Sequence, residues 1–393
     1  MKIKISYLFI SALFISSFSI QAETNTIRFT VNQSDYGNYK SKAKKFFFNS
    51  STVSVNGEAS ITSKLETRGQ SCIGADRRCL GADMDSEVKL FLNNAENDIW
   101  KTDGIILASM TQDTGYINNK IGFAFTKRMG LPTVKNTYAE VIMNNSSLGL
   151  YLIQQKPQKL AKKEKSGFIG RRREEGNIEL KKFFPENAKY TSNQYIEAFD
   201  YMYYFIKKPK GVNLYDFLKI RMNIEKYFKL LTLQTMLKNG DYSDEVFFYA
   251  VNSPQGIYFD IIPWDFEDLF SSPHPTRANK TAAKGGWFNK SILYSFEDPL
   301  DIAIFKDTQL HNAFKETAKN YLNTVLTETL IDESINEVRE TILPYLDNAR
   351  ILSVSARDEA SFGTAYTKIG ILNLLEKRRL EIKLRRSELL KGL

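Results

Sequence analysis

The sequence predicts an α+β protein: a β-rich first half built around one helix, then a mainly helical half that contains a β-hairpin. Three observations predict it. Short β-branched and aromatic runs crowd the positions before Lys156. Apolar residues recur at helical spacing through most of the chain after Asn193. Within that helical half, two strand-like runs, Val246–Val251 and Ile257–Ile262, are joined by Asn252-Ser253-Pro254-Gln255-Gly256, the residue types of a turn.

In order, Met1 to Ala22 has a short basic start, an apolar Ser-rich core and a small residue before a polar stretch, which is the form of a secretory signal peptide. Strands are expected at Thr26–Val31, Lys45–Asn49, Thr52–Val55, Glu87–Leu92, Thr137–Met143 and Leu148–Gln154. A helix from Asp113 to Met129 carries Ile117, Ile121, Phe123 and Phe125 for packing on a sheet. Gly130-Leu131-Pro132 stops it. Helices then follow at Asn193–Ile206, Asn213–Lys219, Asn223–Lys238, Asp301–Leu326, Ile331–Ala349 and Tyr366–Lys391. No repeat or low-complexity linker divides the chain, so 23–156 and 157–393 are read as two parts of one domain.

Composition narrows the function. The formal charge is +9, and removing Lys2 and Lys4 with the leader leaves +7. The excess is concentrated in Lys156, Lys159, Lys162, Lys163, Lys165 and Arg171-Arg172-Arg173, a basic segment suited to nucleotide phosphates, an acidic protein or an anionic polysaccharide. Nucleic acid is not expected, because export removes the chain from it and no recognition module is present. After the leader no run reaches the roughly 20 apolar residues of a membrane span. The protein is therefore expected in the periplasm or outside the cell. With only His274 and His311, a Ser-His-Asp hydrolase or a multi-histidine metal centre is disfavoured. Cys72 and Cys79 are the only cysteines, and in an oxidising compartment they are expected to form one disulfide.

The chemistry is concentrated at the hairpin. Asn239-Gly240-Asp241-Tyr242-Ser243-Asp244-Glu245 precedes it, and Pro263-Trp264-Asp265-Phe266-Glu267-Asp268 follows it. A hairpin brings its outer ends together, so Asp241, Glu245 and Asp265 are expected to converge. Convergent carboxylates repel one another unless a cation or a shared proton reconciles them, which points to a hard divalent metal.

These residues resemble the CotH kinase family, secreted atypical protein kinases named for a spore-coat protein. Asn239-Gly240-Asp241, Glu245 before an aromatic strand, and Ile262-Pro263-Trp264-Asp265-Phe266-Glu267 carry the likeness. Three further segments match in family order: Thr67-Arg68-Gly69-Gln70-Ser71, the lysine-bearing Ser86-Glu87-Val88-Lys89-Leu90, and Asn144 to Leu152 with its Gly149-Leu150-Tyr151. The last helix resembles the family's closing helix.

The resemblance implies a protein-kinase-like, two-lobed fold with ATP between the lobes. It assigns Asp241 to orient the acceptor hydroxyl and take its proton, as the acid of a kinase catalytic loop does. Asp265 would hold magnesium, with Glu245 as a second ligand and Glu267 as a third candidate. Lys89 would steady the phosphates, and Arg68 and Lys181 would reach phosphate oxygens. Three positions depart from the family: Gln155 where a glutamate is usual, Glu245 for an asparagine, and Glu267 for an aspartate. They suggest a retuned site that takes magnesium or manganese, or a pseudokinase. The acceptor implied is a Ser/Thr of a secreted protein or a sugar hydroxyl. A non-catalytic scaffold for an anionic polymer, envelope or coat protein is the competing reading, and transfer of AMP is a further one.

Overall fold

The computed structural model describes residues 24–41, 45–68, 77–92, 99–111, 113–355 and 366–393. Seven strands close into a barrel: β1 (Thr26–Val31), β2 (Ser51–Val55), β3 (Ile61–Arg68), β4 (Cys79–Phe91), β5 (Ile99–Ala108), β6 (Asn136–Met143) and β7 (Ser146–Gln155). Their order is β1-β2-β3-β4-β5-β7-β6, closed by a parallel pairing of β1 with β6. Alternation fills the interior, because successive side chains on a strand face opposite ways. Ile27, Phe29, Val53, Leu65, Trp100, Leu107, Val141 and Ile153 meet there. β6 and β7 are buried on both faces: Ala139, Val141 and Tyr151 point into the barrel, whereas Tyr138, Leu150 and Leu152 join the core of the second half. Helix α1 (Gln33–Ser41) follows β1, and α2 (Asn118–Arg128) lies between β5 and β6.

In the second half, α3 (Pro157–Lys163) leads into β8 (Phe168–Arg173) and β9 (Asn177–Phe183). Next come α4 (Ser192–Lys207), α5 (Leu214–Lys219), α6 (Ile224–Met236), and the hairpin β10 (Val246–Ser253) and β11 (Gly256–Pro263). The chain continues through α7 (Arg277–Lys284), α8 (Pro299–Lys306), α9 (Thr308–Thr324), α10 (Glu328–Leu346), α11 (Ala349–Ser355) and α12 (Lys368–Gly392). Side-chain caps fix several starts: Thr191 and Gln194 form a capping box on α4, and Asp298 and Asp301 form one on α8.

The α+β class holds, with differences that have physical causes. The first half is a closed barrel rather than a sheet around a single helix, because β3, β5 and α1 were not apparent in the sequence. Lys45–Asn49 contributes one isolated bridge, Phe47 to Glu66, instead of a strand. The hairpin is half of a four-stranded sheet, β11-β10-β8-β9. The expected helix Asp301–Leu326 is two helices, broken where Asp307 leaves helical geometry to cap α9 through Gln309 N and Leu310 N. Among the described residues no helix is long and apolar enough to cross a membrane. The leader and Cys72 lie outside the described residues.

Candidate functional site

Two loops, 239–245 and 264–269, are held together below the hairpin. Val246 pairs with Pro263 at its base, and Trp264 N donates to Glu245 O at 2.8 Å. After α6, Asn239 is fixed by Gln234, and its Oδ1 accepts from Asp241 N at 3.1 Å, an Asx turn that aims the Asp241 backbone. Gly240 N donates to Asp268 O at 3.2 Å and joins the loops directly. Only glycine fits there, since a Cβ would lie 2.1 Å from Ser272 O.

The hairpin sets the two acidic loops side by side, and their carboxyls raise one another. Glu245 is buried and its Oε2 has no hydrogen-bond partner. Burial pushes its carboxyl well up, and the charges of Asp265, Asp241, Glu267 and Asp268 push it further. Asp265 stands in the left-handed region at φ 45°. Burial raises it while Arg171 opposes the rise. Glu267 is raised to about 9, first by Asp265 and then by burial. Asp268 is raised to about 6 by burial, Asp241 and Asp265. Asp241 is raised by burial, with His274 Nδ1 4.0 Å from its Oδ2 easing the effect. Among the described residues, however, no set of three or more acidic, His or Cys side chains stands as a ready-made metal cage. The carboxylates share one electrostatic field without enclosing a point.

Helix α2 supports this arrangement from the barrel side. Buried Asp113, raised to about 7 by burial, accepts from Asn118 N and Asn119 N at 2.7 and 2.8 Å and caps the helix. Asn119 Oδ1 then accepts from Phe266 N at 2.7 Å, and Asn118 Nδ2 donates to Glu267 O and Leu269 O. Gly122 lets Phe266 lie directly on the helix, where a Cβ would come within 2.1 Å of Cγ. A second support is buried. Arg172, fully enclosed, donates to Ser243 O at 2.6 Å, Tyr242 O at 3.3 Å and Tyr227 Oη at 2.9 Å, with Asp298 at 3.7 Å. Tyr203 bonds Asp298, and Tyr227 and Tyr242 bond Asp301.

The expected cations are distributed differently. Lys181 lies beside Arg171 and Arg173 and ion-pairs with Glu179. Arg171 and Arg173 both bind Asp244, which places them at the edge of the acids. Lys89 is exposed on β4 opposite Lys101, because its neighbour Leu90 points into the barrel. Arg68 pairs with Glu66 at 3.6 Å and lies over Gly81. No described contact links Lys89 or Arg68 to the acids. The basic segment is also largely spent on partners: Lys156 binds Asp83, Lys159 binds Glu87, and Arg172 is internal. Gln155, at the end of β7, is buried and donates to Lys101 O at 3.3 Å. Cys79 opens β4 with Sγ 3.3 Å from Ser109 Oγ.

The raised carboxyls carry a signed prediction. Glu267 holds its proton from an ordinary 4.5 up to about 9 when folded, so over that window the native state retains a proton that the unfolded chain releases. Stability is therefore full at low pH and falls as pH rises through the folded value, by up to about 1.4 kcal/mol per pH unit for each retained proton. In chelator, the urea midpoint is expected to drop between about pH 6 and pH 9. A flat or rising profile would contradict the burial of these acids.

The family model described as "CotH kinase protein" matches residues 65–369. The chain belongs to the CotH kinase family. Among solved structures, a Helicobacter pylori proinflammatory kinase, CtkA, is similar at 12% identity, with 78% of this chain and 94% of that chain covered and a TM-score of 0.29. At that score the likeness carries no weight for the fold. No curated protein is a significant match.

Proposed function

We propose that this chain is an exported phosphotransferase that moves phosphate from a divalent-metal ATP complex to the hydroxyl of an extracytoplasmic acceptor. The observation that carries the reading is that Asp241, Glu245, Asp265 and Glu267 stand on two joined loops and raise one another's carboxyls, with Glu245 buried among them. Membership of a kinase family supports it.

The residues fit a divalent cation. Glu245 Oε2 is buried without a donor, and repulsion within the group is what a cation relieves. Magnesium needs only one or two protein carboxylates when phosphate oxygens and waters supply the rest, so the missing three-acid cage is no obstacle. Asp265 and Glu245 would hold it, with Glu267 beside them; when bound, the cation neutralises charge on the transferring phosphate. Asp241, less enclosed and held by the Asn239 turn, faces the acceptor hydroxyl and takes its proton. Arg171, whose charge reaches Asp265, and its neighbour Lys181 would serve the phosphate oxygens, whereas the exposed Lys89 and the Glu66-paired Arg68 would need a rearrangement to do so. The barrel half and the helical half would act as the two lobes. The leader would direct the chain outward, where Cys79 would pair with Cys72.

The test is thermal. Magnesium with ATP is expected to raise the melting temperature of the purified protein beyond either component alone, with manganese at least as effective. Glu245→Gln is expected to weaken that shift without loss of folding. Absence of any nucleotide response would leave the scaffold reading, and mass spectrometry of a modified acceptor separates phosphate from AMP.

A further inference from the structure

We propose that the outer face of α4 and α5, with the loop 208–213 between them, is a docking surface for an anionic lipid bilayer, on which tyrosine rings enter the headgroup region while basic side chains hold lipid phosphates. The proposal rests on neither the phosphotransferase reading nor export.

Helix α4 carries more aromatic side chains than its core contact uses. Tyr195, Phe199, Met202, Tyr203 and Ile206 are buried on its inner side. Tyr201 and Tyr204 stand outside, 49% and 51% exposed, and Ile220, just past α5, is 48% exposed. Half-buried Phe205 and Phe217 join the outer rings into one cluster. Tyr201 and Tyr204 meet Phe205 edge-on, with ring centroids 5.0 and 5.4 Å apart, and Phe217 lies 5.0 Å from Phe205 and 6.1 Å from Tyr201. A contiguous exposed apolar patch rimmed by polar residues marks an interaction or membrane surface.

The rim is basic. Lys208 lies over the Tyr204 ring, Lys219 over Tyr215, and Arg221 over both Tyr201 and Phe217. From Tyr201 to Arg221 the chain holds five basic residues and one acid, Asp216. Lys156 and Lys159 have acidic partners. Lys208, Lys210, Lys219 and Arg221 form no ion pair among the described residues.

This chemistry selects among anionic partners. A sugar ring stacks flat on an aromatic face, and here such faces carry Lys208, Lys219 and Arg221. A stable protein interface takes about 20–30 residues a side, several times what the exposed rings and their basic rim provide. A bilayer requires neither. Tyrosine, with an apolar body and a polar tip, concentrates at the membrane–water interface. Basic residues beside it meet lipid phosphates, each strengthening binding by about fivefold. Apolar contact combined with charge holds a protein on a lipid surface without spanning it.

The probes are vesicles of phosphatidylcholine alone and of phosphatidylcholine with about 30% phosphatidylglycerol, mixed with the purified protein and recovered by flotation. The anionic vesicles are expected to carry at least about tenfold more protein, and the excess should fade as salt rises from about 50 to about 500 mM, where screening shortens the reach of charge. Lys208→Glu with Lys219→Glu should abolish the excess, and Tyr201→Ser with Tyr204→Ser should cut it severalfold at low salt. All four side chains are exposed, so these variants are expected to fold. Lys64→Glu with Lys284→Glu makes the same charge change on other elements and should leave binding nearly intact. Every variant shares one N-terminus, so any contribution of the leader is common to all. Equal recovery with the two kinds of vesicle, or an equal loss in the control and patch reversals, overturns the proposal. So does full binding by the tyrosine pair, since charge alone would then hold the protein. Polyglutamate or polygalacturonate that binds as tightly as the anionic vesicles, and is lost in the tyrosine variant, overturns the lipid assignment.

Discussion

Asp265→Asn is expected to abolish the magnesium-dependent part of ATP binding, whereas Asp241→Asn should still bind Mg-ATP and lose phosphoryl transfer. The two acids share one field but sit differently in it. Asp265 is the charge that raises both Glu245 and Glu267 most. Removing its charge takes the main anionic ligand from a cation site. Asp241 lies at the margin, fixed by the Asn239 turn and close to His274. Its loss should cost about 10²–10⁴ in turnover, the range of a positioned general base, with little change in nucleotide affinity. Without metal, Asp265→Asn should also melt higher than the parent, because the substitution relieves repulsion among buried carboxylates. Isothermal titration with ATP, with and without magnesium, and phosphate incorporation into an acceptor separate the two. Full transfer activity in both variants would end the kinase assignment.

Arg172→Met is expected to be the most damaging single change for stability. The guanidinium is fully buried and holds the carbonyls of Tyr242 and Ser243, the Tyr227 hydroxyl and Asp298. Its removal leaves Asp298 as an uncompensated buried charge, and breaking such a pair costs about 3–5 kcal/mol. Urea denaturation at constant slope reads this directly, and a loss under about 1 kcal/mol would mean that the network contributes little. The same change frees the backbone just before Glu245, so metal-dependent nucleotide binding should weaken in whatever fraction remains folded.

The site was legible where it is local in sequence. A hairpin's ends must meet, so the neighbourhood of the loops that carry Asp241, Glu245 and Asp265 followed from turn residues and strand patterns alone, whereas Glu267 entered through the family resemblance. Supports that arrive from far along the chain were not legible. Asp113, Asn118 and Asn119 read as an ordinary helix start, and only the packing of α2 on Phe266 reveals their reach to the acid loop. Asp268 was part of the acidic cluster but was given no role. Arg171, Arg172 and Arg173 read as one basic segment open to an anionic partner because β8 was missed. On a strand the three alternate, which sends Arg172 inward while its neighbours bind Asp244. Lys89 is the opposite case: its strand was expected, and the inward Leu90 turns the lysine to solvent. The barrel was not legible because its closure depends on pairing between distant strands, of which hydrophobic periodicity carries no trace.

That closure governs how the chain folds. β1 has its last pairing partner in β6, so Val31 N waits for Asn144 Oδ1, 113 positions later. Asn25 N waits longer still, for Tyr345 Oη. Contacts of such long range make folding slow, because chain entropy is spent before they form. A fragment ending before β6 would carry two unpaired edges, on β1 and β5, with Ile27 and Phe29 uncovered. Exposed edges recruit other chains. Nascent or truncated forms of this protein should therefore aggregate unless a holding chaperone occupies the first strands until the barrel is complete.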